Sequence, residues 1–136
     1  MRAAITATSR YLPDHIMTNF DLEKMVDTSD EWIRTRTGIT ERRVVHEGQT
    51  TADMSTNIAK ELLQRSNTDP EEVEVIIIAT VTPDMATPAT ASLVQDRIGA
   101  IKAWGFDLSG ACTGFIYALD TASRMIESGK YKKVMV

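Results

Sequence analysis

Cys112 is the only cysteine in a chain of 136 residues. Its surroundings, Phe106-Asp107-Leu108-Ser109-Gly110-Ala111-Cys112-Thr113-Gly114-Phe115, pass from a short apolar run through a glycine-flanked turn into an amphipathic pattern. A thiol held at a helix N-terminus faces unpaired backbone N–H groups and the positive end of the helix dipole. Such a setting lowers a thiol pKa from about 8.5 into the range of roughly 3.5 to 7.5. The thiolate is the attacking form, so the chemistry indicated is nucleophilic. From Cys112 onward, Phe115, Ile116, Leu119, Ala122 and Ile126 recur at spacings of three and four, which predicts one buried helix face, Cys112 included, and a helix ending at Gly129. Gly110 and Gly114 are expected to clear space on either side of the sulfur for another molecule's backbone or acyl chain. The competing reading of a lone cysteine is a small buried hydrophobe, and the strand-turn-helix placement weighs the two about evenly.

A second group of residues, at 28–43, has the chemistry of a nucleotide site. Trp32 offers a flat face for an adenine ring, Thr28 a hydroxyl for its polar edge, and Arg36 a fixed positive charge for phosphate. Arg34, Arg42 and Arg43 make the neighbourhood basic within an acidic chain. The plainer assignment has Trp32 as a core anchor, Thr28 as a helix cap and Arg36 as a solvated charge, and composition alone favours it. His15, in a Pro-Asp turn, and His46, after the basic strand of Arg42 and Arg43, are assigned to solvated loops. No Cys/His spacing suggests a metal site, and no glycine-rich phosphate motif is present.

The elements that must carry these residues alternate between strand and helix, the signature of an α/β layered fold. A first strand is expected near Ala3 to Ser9. Thr18 and Asp21 open a short helix through Val26, and Thr28 with Glu31 has the capping-box spacing for a second. Thr50 and Asp53 repeat that spacing before a helix running to about Arg65, with Met54, Ile58 and Leu62 four residues apart. Val73 to Thr80 is a near-continuous β-branched run, read as a central strand covered on both faces. Thr87 is expected to cap a helix with Pro88 in its first turn and Gly99 at its end. Ala103 to Leu108 reads as a strand buried on both faces. Lys133 to Val136 reads as a strand just begun, which predicts a chain cut within a strand.

Composition sets the class. A hydrophobic content of 43% with 25% charged residues is ordinary for a globular protein, and the length fits one domain or less. One cysteine leaves no internal disulfide framework, and no basic segment followed by an apolar run marks the N-terminus for export, so a cytoplasmic location is expected. A net charge of -4 and apolar runs too short for a span argue against nucleic acid and membrane as partners.

The run DLSGACTGFIYAL resembles the nucleophile segment of thiolase-fold condensing enzymes, specifically the β-ketoacyl-acyl-carrier-protein synthase III family. TSDEWIRTRTGITERR at 28–43 is similar to that family's coenzyme A segment. VIIIATVTPDMATPATASLVQDRIG is similar to the stretch before the nucleophile, and the opening ITATSRYLPDHIMTN agrees as well. Gly110 stands where the family often has Ala, and Thr113 where Ser or Ala is usual. The resemblance implies a thiolase-like layered fold in which residues 1–136 are most of the first of two similar halves. It implies that Cys112 takes a short acyl group from an acyl-coenzyme A primer and passes it to malonyl-acyl-carrier protein in a decarboxylative condensation that starts fatty-acid synthesis, in a homodimer with no cofactor. It assigns coenzyme A to Thr28, Trp32 and Arg36 and places Thr87 in the partner's acyl pocket, where the family often has a Phe that limits chain length. The family's catalytic histidine and asparagine belong to its second half and match neither His15 nor His46, so residues 1–136 alone are expected to be inactive. Another thiolase-fold synthase, secondary-metabolite or hydroxymethylglutaryl-type, and a noncatalytic interaction module with an inert cysteine are the rivals.

Overall fold

A computed structural model describes residues 2–136, which divide into two compact units: Leu12–Gln49, and Thr50–Val136 together with the N-terminal residues through Tyr11. The smaller unit contains β1 (His15–Thr18), α1 (Asn19–Glu23), α2 (Asp30–Thr37) and β2 (Glu41–Val44). The larger contains α3 (Thr51–Ser66), β3 (Val75–Ala79), α4 (Thr90–Ile98), β4 (Trp104–Leu108), α5 (Gly114–Glu127) and β5 (Val134–Met135).

In the larger unit, β3 is the central strand of a parallel sheet ordered β4-β3-β5, with Ile76 opposite Gly105 and Val75 opposite Val134. Its side chains alternate between two layers, as the pleat requires. Ile76 packs with Ala59 and Leu63 of α3 and Ala91, Val94 and Ile98 of α4, whereas Val75 and Ile77 pack with Ala118 and Ala122 of α5. Both faces of β3 are therefore covered, as its unbroken β-branched run predicts. The strand β4 is different: among the described residues it lies at the sheet edge with Trp104 exposed and the rest half-buried, so the expectation of burial on both faces fails there.

Helix faces are also redistributed. The buried positions of α5 are Gly114, Ala118 and Ala122, and those of α3 are Ala52, Thr56, Ala59 and Leu63. Phe115 and Ile116 are exposed, and Leu119 and Ile126 line an apolar groove with Ile58 and Leu62. Small side chains let a helix axis approach the sheet closely, and that geometry selects the small stripe over the bulkier one. The stretch Ala3 to Ser9 forms no strand: it borders the groove without ladder partners, and an extended segment without such partners is not a strand.

Caps settle the helix starts. Thr18 with Asp21 and Thr50 with Asp53 form the capping boxes expected, although α1 ends at Glu23 rather than Val26. Ser29, not Thr28, caps α2, its Oγ accepting from the Trp32 N–H at 3.1 Å. Thr87 does not cap α4. The Thr87–Pro88 peptide is cis, and the amides of Thr90 and Ala91 instead donate to the Asp107 carboxylate of β4 at 2.7 and 2.9 Å. A carboxylate from the neighbouring strand answers two orphan N–H groups at once, so α4 begins where those amides reach it. The helix ends at Gly99 as expected.

These capping acids predict an acid-labile fold. The hydroxyl of Thr18 holds the Asp21 carboxyl well below its ordinary value, and the backbone amide of Thr50, then its hydroxyl, does the same for Asp53. A group depressed in the folded state stabilises at pH above its unfolded value and loses that stabilisation as pH falls through the folded one. Thermal midpoints should therefore hold level from pH 7 to about 5 and fall below about 4. Asp53→Asn should flatten that fall, read by thermal melts at stepped pH.

Candidate active site

The C-terminal ends of β3 and β4 lie side by side because the strands are parallel, and the Thr80 N–H donates to Leu108 O at 3.1 Å to extend their ladder. In open α/β sheets this end is where ligands bind. The turn after β4 carries Cys112 and the loop after β3 carries Thr87.

Cys112 sits in a single 3-10 turn, Ala111–Thr113, directly before α5, and it is exposed. It is not on the buried helix face the apolar spacing predicts. The face against the sheet begins at Gly114, and Ala111, with φ +47°, turns the chain outward before it. A non-glycine residue in the left-handed region costs on the order of 1 to 3 kcal/mol and persists where surrounding structure holds it. Here the Thr113 N–H and hydroxyl both donate to Gly110 O, at 3.2 and 3.0 Å. No side chain caps the start of α5 and no acid lies in its first turn, although the Thr113 and Gly114 amides beside the sulfur already donate to Gly110 O and Ala111 O. Among the described residues nothing buries the Cys112 side chain.

The flanking glycines act differently from expectation. A Cβ on Gly110 would stand 2.8 Å from Gly114 Cα and 3.0 Å from Tyr117 Cδ2. The space it leaves is taken by the chain's own helix. A Cβ on Gly114 would meet Ala79 Cβ at an ordinary 3.6 Å.

Thr87 is exposed and bonds only its own neighbour, its Oγ1 donating to Ala86 O at 2.9 Å. The loop around it is anchored on α3: the Thr51 hydroxyl donates to Thr82 O at 2.7 Å, and the Ala52 N–H donates to Asp84 Oδ1 at 2.9 Å. Neither Asp84 nor Asp107 is signalled by periodicity, because each works through an amide distant in sequence.

In the smaller unit, α2 brings Trp32 and Arg36 together on one face, with Arg36 Cζ 5.0 Å from the indole centroid. Trp32 is 54% exposed, which excludes it as a core anchor of this unit; Ile33 is the buried residue of the helix. Since Ser29 takes the cap, the Thr28 hydroxyl has no protein partner among the described residues. The four arginines near it divide cleanly. Arg34 is paired with Asp30 at 3.0 Å, Arg42 donates to Met17 O and Asn19 Oδ1, and Arg43 donates to Pro13 O. Among the described residues, Arg36 alone of these makes no hydrogen bond or ion pair, so its charge is the one available to an anion. His15 begins β1 instead of lying in a turn, its ring 6.4 Å from that of His46, and both are exposed. Among the described residues, no three His, Cys, Asp or Glu side chains are grouped as a metal would need.

A parallel α/β sheet with a cysteine on a turn beyond a strand's C-terminal end fits the thiolase-like class of α/β fold. Comparison with known proteins agrees. Residues 106–136 match the model of the 3-oxoacyl-[acyl-carrier-protein] synthase III family. The chain is 58% identical to the β-ketoacyl-[acyl-carrier-protein] synthase III of Chlorobium phaeovibrioides, over all of this chain and 42% of that protein. The crystal structure of 3-oxoacyl-[acyl-carrier-protein] synthase III from Aquifex aeolicus superposes with a TM-score of 0.91 at 55% identity, covering 95% of this chain and 42% of that one. The priming β-ketosynthase of the R1128 polyketide pathway superposes at 0.90 with 33% identity, covering 94% and 38%. The chain is thus similar along its whole length to β-ketoacyl-[acyl-carrier-protein] synthase III proteins and spans about 42% of the length of the curated relatives it matches, corresponding to their N-terminal part. Among the described residues no helix is long and apolar enough to cross a membrane.

Proposed function

We propose that this chain is the nucleophile-bearing portion of an acyltransferase that starts fatty-acid synthesis. Cys112 Sγ, as the thiolate, attacks the carbonyl of a short acyl-coenzyme A. A carbon–sulfur bond forms to the enzyme, the bond to coenzyme A breaks, and coenzyme A departs as its thiol. Malonyl-acyl-carrier protein then loses carbon dioxide, and the resulting enolate attacks the acyl-cysteine, forming the new carbon–carbon bond and returning the thiolate. The observation that carries this reading is the exposed sulfur on the turn at the start of α5, a helix end that no side chain caps and no acid approaches, so the positive end of its dipole lies beside the sulfur. Donors for the enolate oxygen are needed as well. By resemblance these are the family's histidine and asparagine, outside the part matched here, so residues 1–136 alone should not complete the condensation. Intact mass after mixing with acetyl-coenzyme A tests the first step: one acetyl group on the Cys112 peptide supports the proposal, and its absence in the intact enzyme rejects it. The acyl-coenzyme A is a substrate, and the proposed enzyme needs no further cofactor.

In this reading the nucleotide end of coenzyme A is held by the α2 face. Adenine stacks on the open side of Trp32, Thr28 meets its polar edge, and Arg36 pairs with phosphate. Stacking of a base on an aromatic side chain is worth about 1 to 3 kcal/mol. Trp32→Ala should therefore raise the KM for acyl-coenzyme A about tenfold with kcat little changed. An unaltered KM in steady-state kinetics would remove Trp32 from the site.

The small side chain of Thr87 favours a second reading of substrate range, in which the same cysteine takes primers larger than acetyl. Thr87, where the family often has Phe, would leave more room in the acyl pocket of a homodimer. Acetyl-, isobutyryl- and octanoyl-coenzyme A compared on the intact enzyme would decide it, since strict acetyl preference rejects the idea and Thr87→Phe should shorten any wider range.

A further inference from the structure

The least exposed polar side chain of the smaller unit is not one of the substrate-facing residues. Asn19, the first residue of the five-residue α1, is fully buried. Its amide nitrogen donates to Asp30 Oδ1 and to Ile39 O, both at 2.8 Å, and its Oδ1 accepts from Arg42 Nη2 at 2.6 Å. The Asn19 backbone N–H donates to Thr40 O at 3.2 Å. One amide thus ties together α1, the first residue of α2, the turn that follows α2, and β2. Both side-chain donors and the acceptor are used, and an amide satisfied in this way rigidifies what it joins. Asp30 is shared: it also receives Arg34, and these two donors, Arg34 first and Asn19 second, hold its carboxyl below the ordinary carboxylate value.

The helix gripped at both ends is the one that presents Trp32 and Arg36. Trp32 lies two residues beyond Asp30, and Ile39 lies three residues beyond Arg36. Yet α2 itself buries only Ile33. A short helix with one buried apolar residue is held weakly by packing, so its orientation depends on the polar ties at its ends.

We propose that Asn19 is a positioning residue for nucleotide recognition: by fixing both ends of α2 it pre-orders the Trp32 and Arg36 face, so that acyl-coenzyme A does not have to order that face on binding. This rests on the assignment of the coenzyme A nucleotide to that face. Pre-ordering enters affinity as conformational freedom that need not be lost on binding. It acts only on substrates that carry the nucleotide.

The test compares acetyl-coenzyme A with acetyl-pantetheine, which has the thioester but no nucleotide, on the intact enzyme. Asn19→Asp keeps an oxygen for Arg42 and turns the donors toward Asp30 and Ile39 into a repelling acceptor. The expected result is an acetyl-coenzyme A KM raised about tenfold, with kcat and the acetyl-pantetheine KM unchanged. Adding Asp30→Asn restores a donor–acceptor pair between the two positions with the roles exchanged, and should recover part of the loss. A loss of activity shared equally by both substrates, or an acetyl-coenzyme A KM that does not move, overturns the inference. If Asn19→Asp does not fold, Asp30→Ala removes the same tie from the more exposed side and must give the same split between substrates. Failure of the nucleotide assignment itself looks different: wild-type enzyme would then use both thioesters with the same KM, and Trp32→Ala would change neither.

Discussion

Cys112→Ser in the intact enzyme should leave no detectable acyl-enzyme and reduce condensation by at least about 10³-fold, since loss of the nucleophile removes the covalent route entirely. A serine hydroxyl is far less acidic than a thiol, and no base lies in the turn around residue 112: the groups that shape it are the Gly110 carbonyl and the Thr113 hydroxyl. A helix start without a side-chain cap cannot by itself generate an alkoxide. Because the side chain is exposed, the substitution should change stability by no more than about 0.5 kcal/mol, so lost activity would report chemistry rather than unfolding. Intact-mass measurement with acetyl-coenzyme A, steady-state rates and a thermal melt on the same sample check all three expectations. Retention of more than a tenth of the rate by Cys112→Ala would contradict the acyl-cysteine route.

Gly105→Ala should be the most damaging single methyl in the larger unit. A Cβ at this position would stand 2.5 Å from the Ile76 carbonyl oxygen and 2.9 Å from Ala91 Cβ. The obstruction comes from the backbone of the central strand and from the first turn of α4, neither of which can rotate away as a flexible side chain would. Overpacking costs typically 1 to 3 kcal/mol, and a backbone contact of this kind belongs at the upper end, so a loss of about 3 kcal/mol is expected. The same shift would move Asp107, two residues along β4, off the Thr90 and Ala91 amides. A urea midpoint unchanged from wild type would show that β4 can move away from β3 without cost. Gly114→Ala is the control, because its Cβ would find ordinary contacts.

Chain-local physics made several of these features legible. The β-branched run at 73–80 contains a strand with both faces covered, since such a run has no polar face to offer water. The capping boxes at Thr18 and Thr50 are three-residue devices whose partners lie within one turn, so spacing alone finds them. The strand-turn-helix setting of Cys112 belongs to the same class. The pairing of β1 with β2 is half legible: the basic strand at Arg42 and Arg43 reads from sequence, whereas His15 reads as part of a Pro-Asp turn, because antiparallel pairing depends on a segment more than twenty residues away.

What could not be read shares one physical cause. Whether Phe115 or Ala118 faces the sheet, whether Cys112 is buried or open, and which group caps α4 all depend on distances between segments far apart in the chain. Periodicity reports that a helix has apolar positions, and α5 has two sets of them; only the close approach permitted by Gly114, Ala118 and Ala122 picks between them. Asn19 shows the same division, since a lone asparagine beside a capping threonine looks unremarkable until folding brings Asp30, Ile39 and Arg42 onto its one amide. Sequence by itself determined most of the element types and singled out Cys112 as the candidate nucleophile, because those follow from side-chain chemistry and local spacing. Tertiary structure alone decided which faces are buried, which hydroxyls and arginines remain unengaged, and which distant carboxylates and amides hold the loops, because hydrogen-bond satisfaction and packing are settled only between segments brought together by the fold.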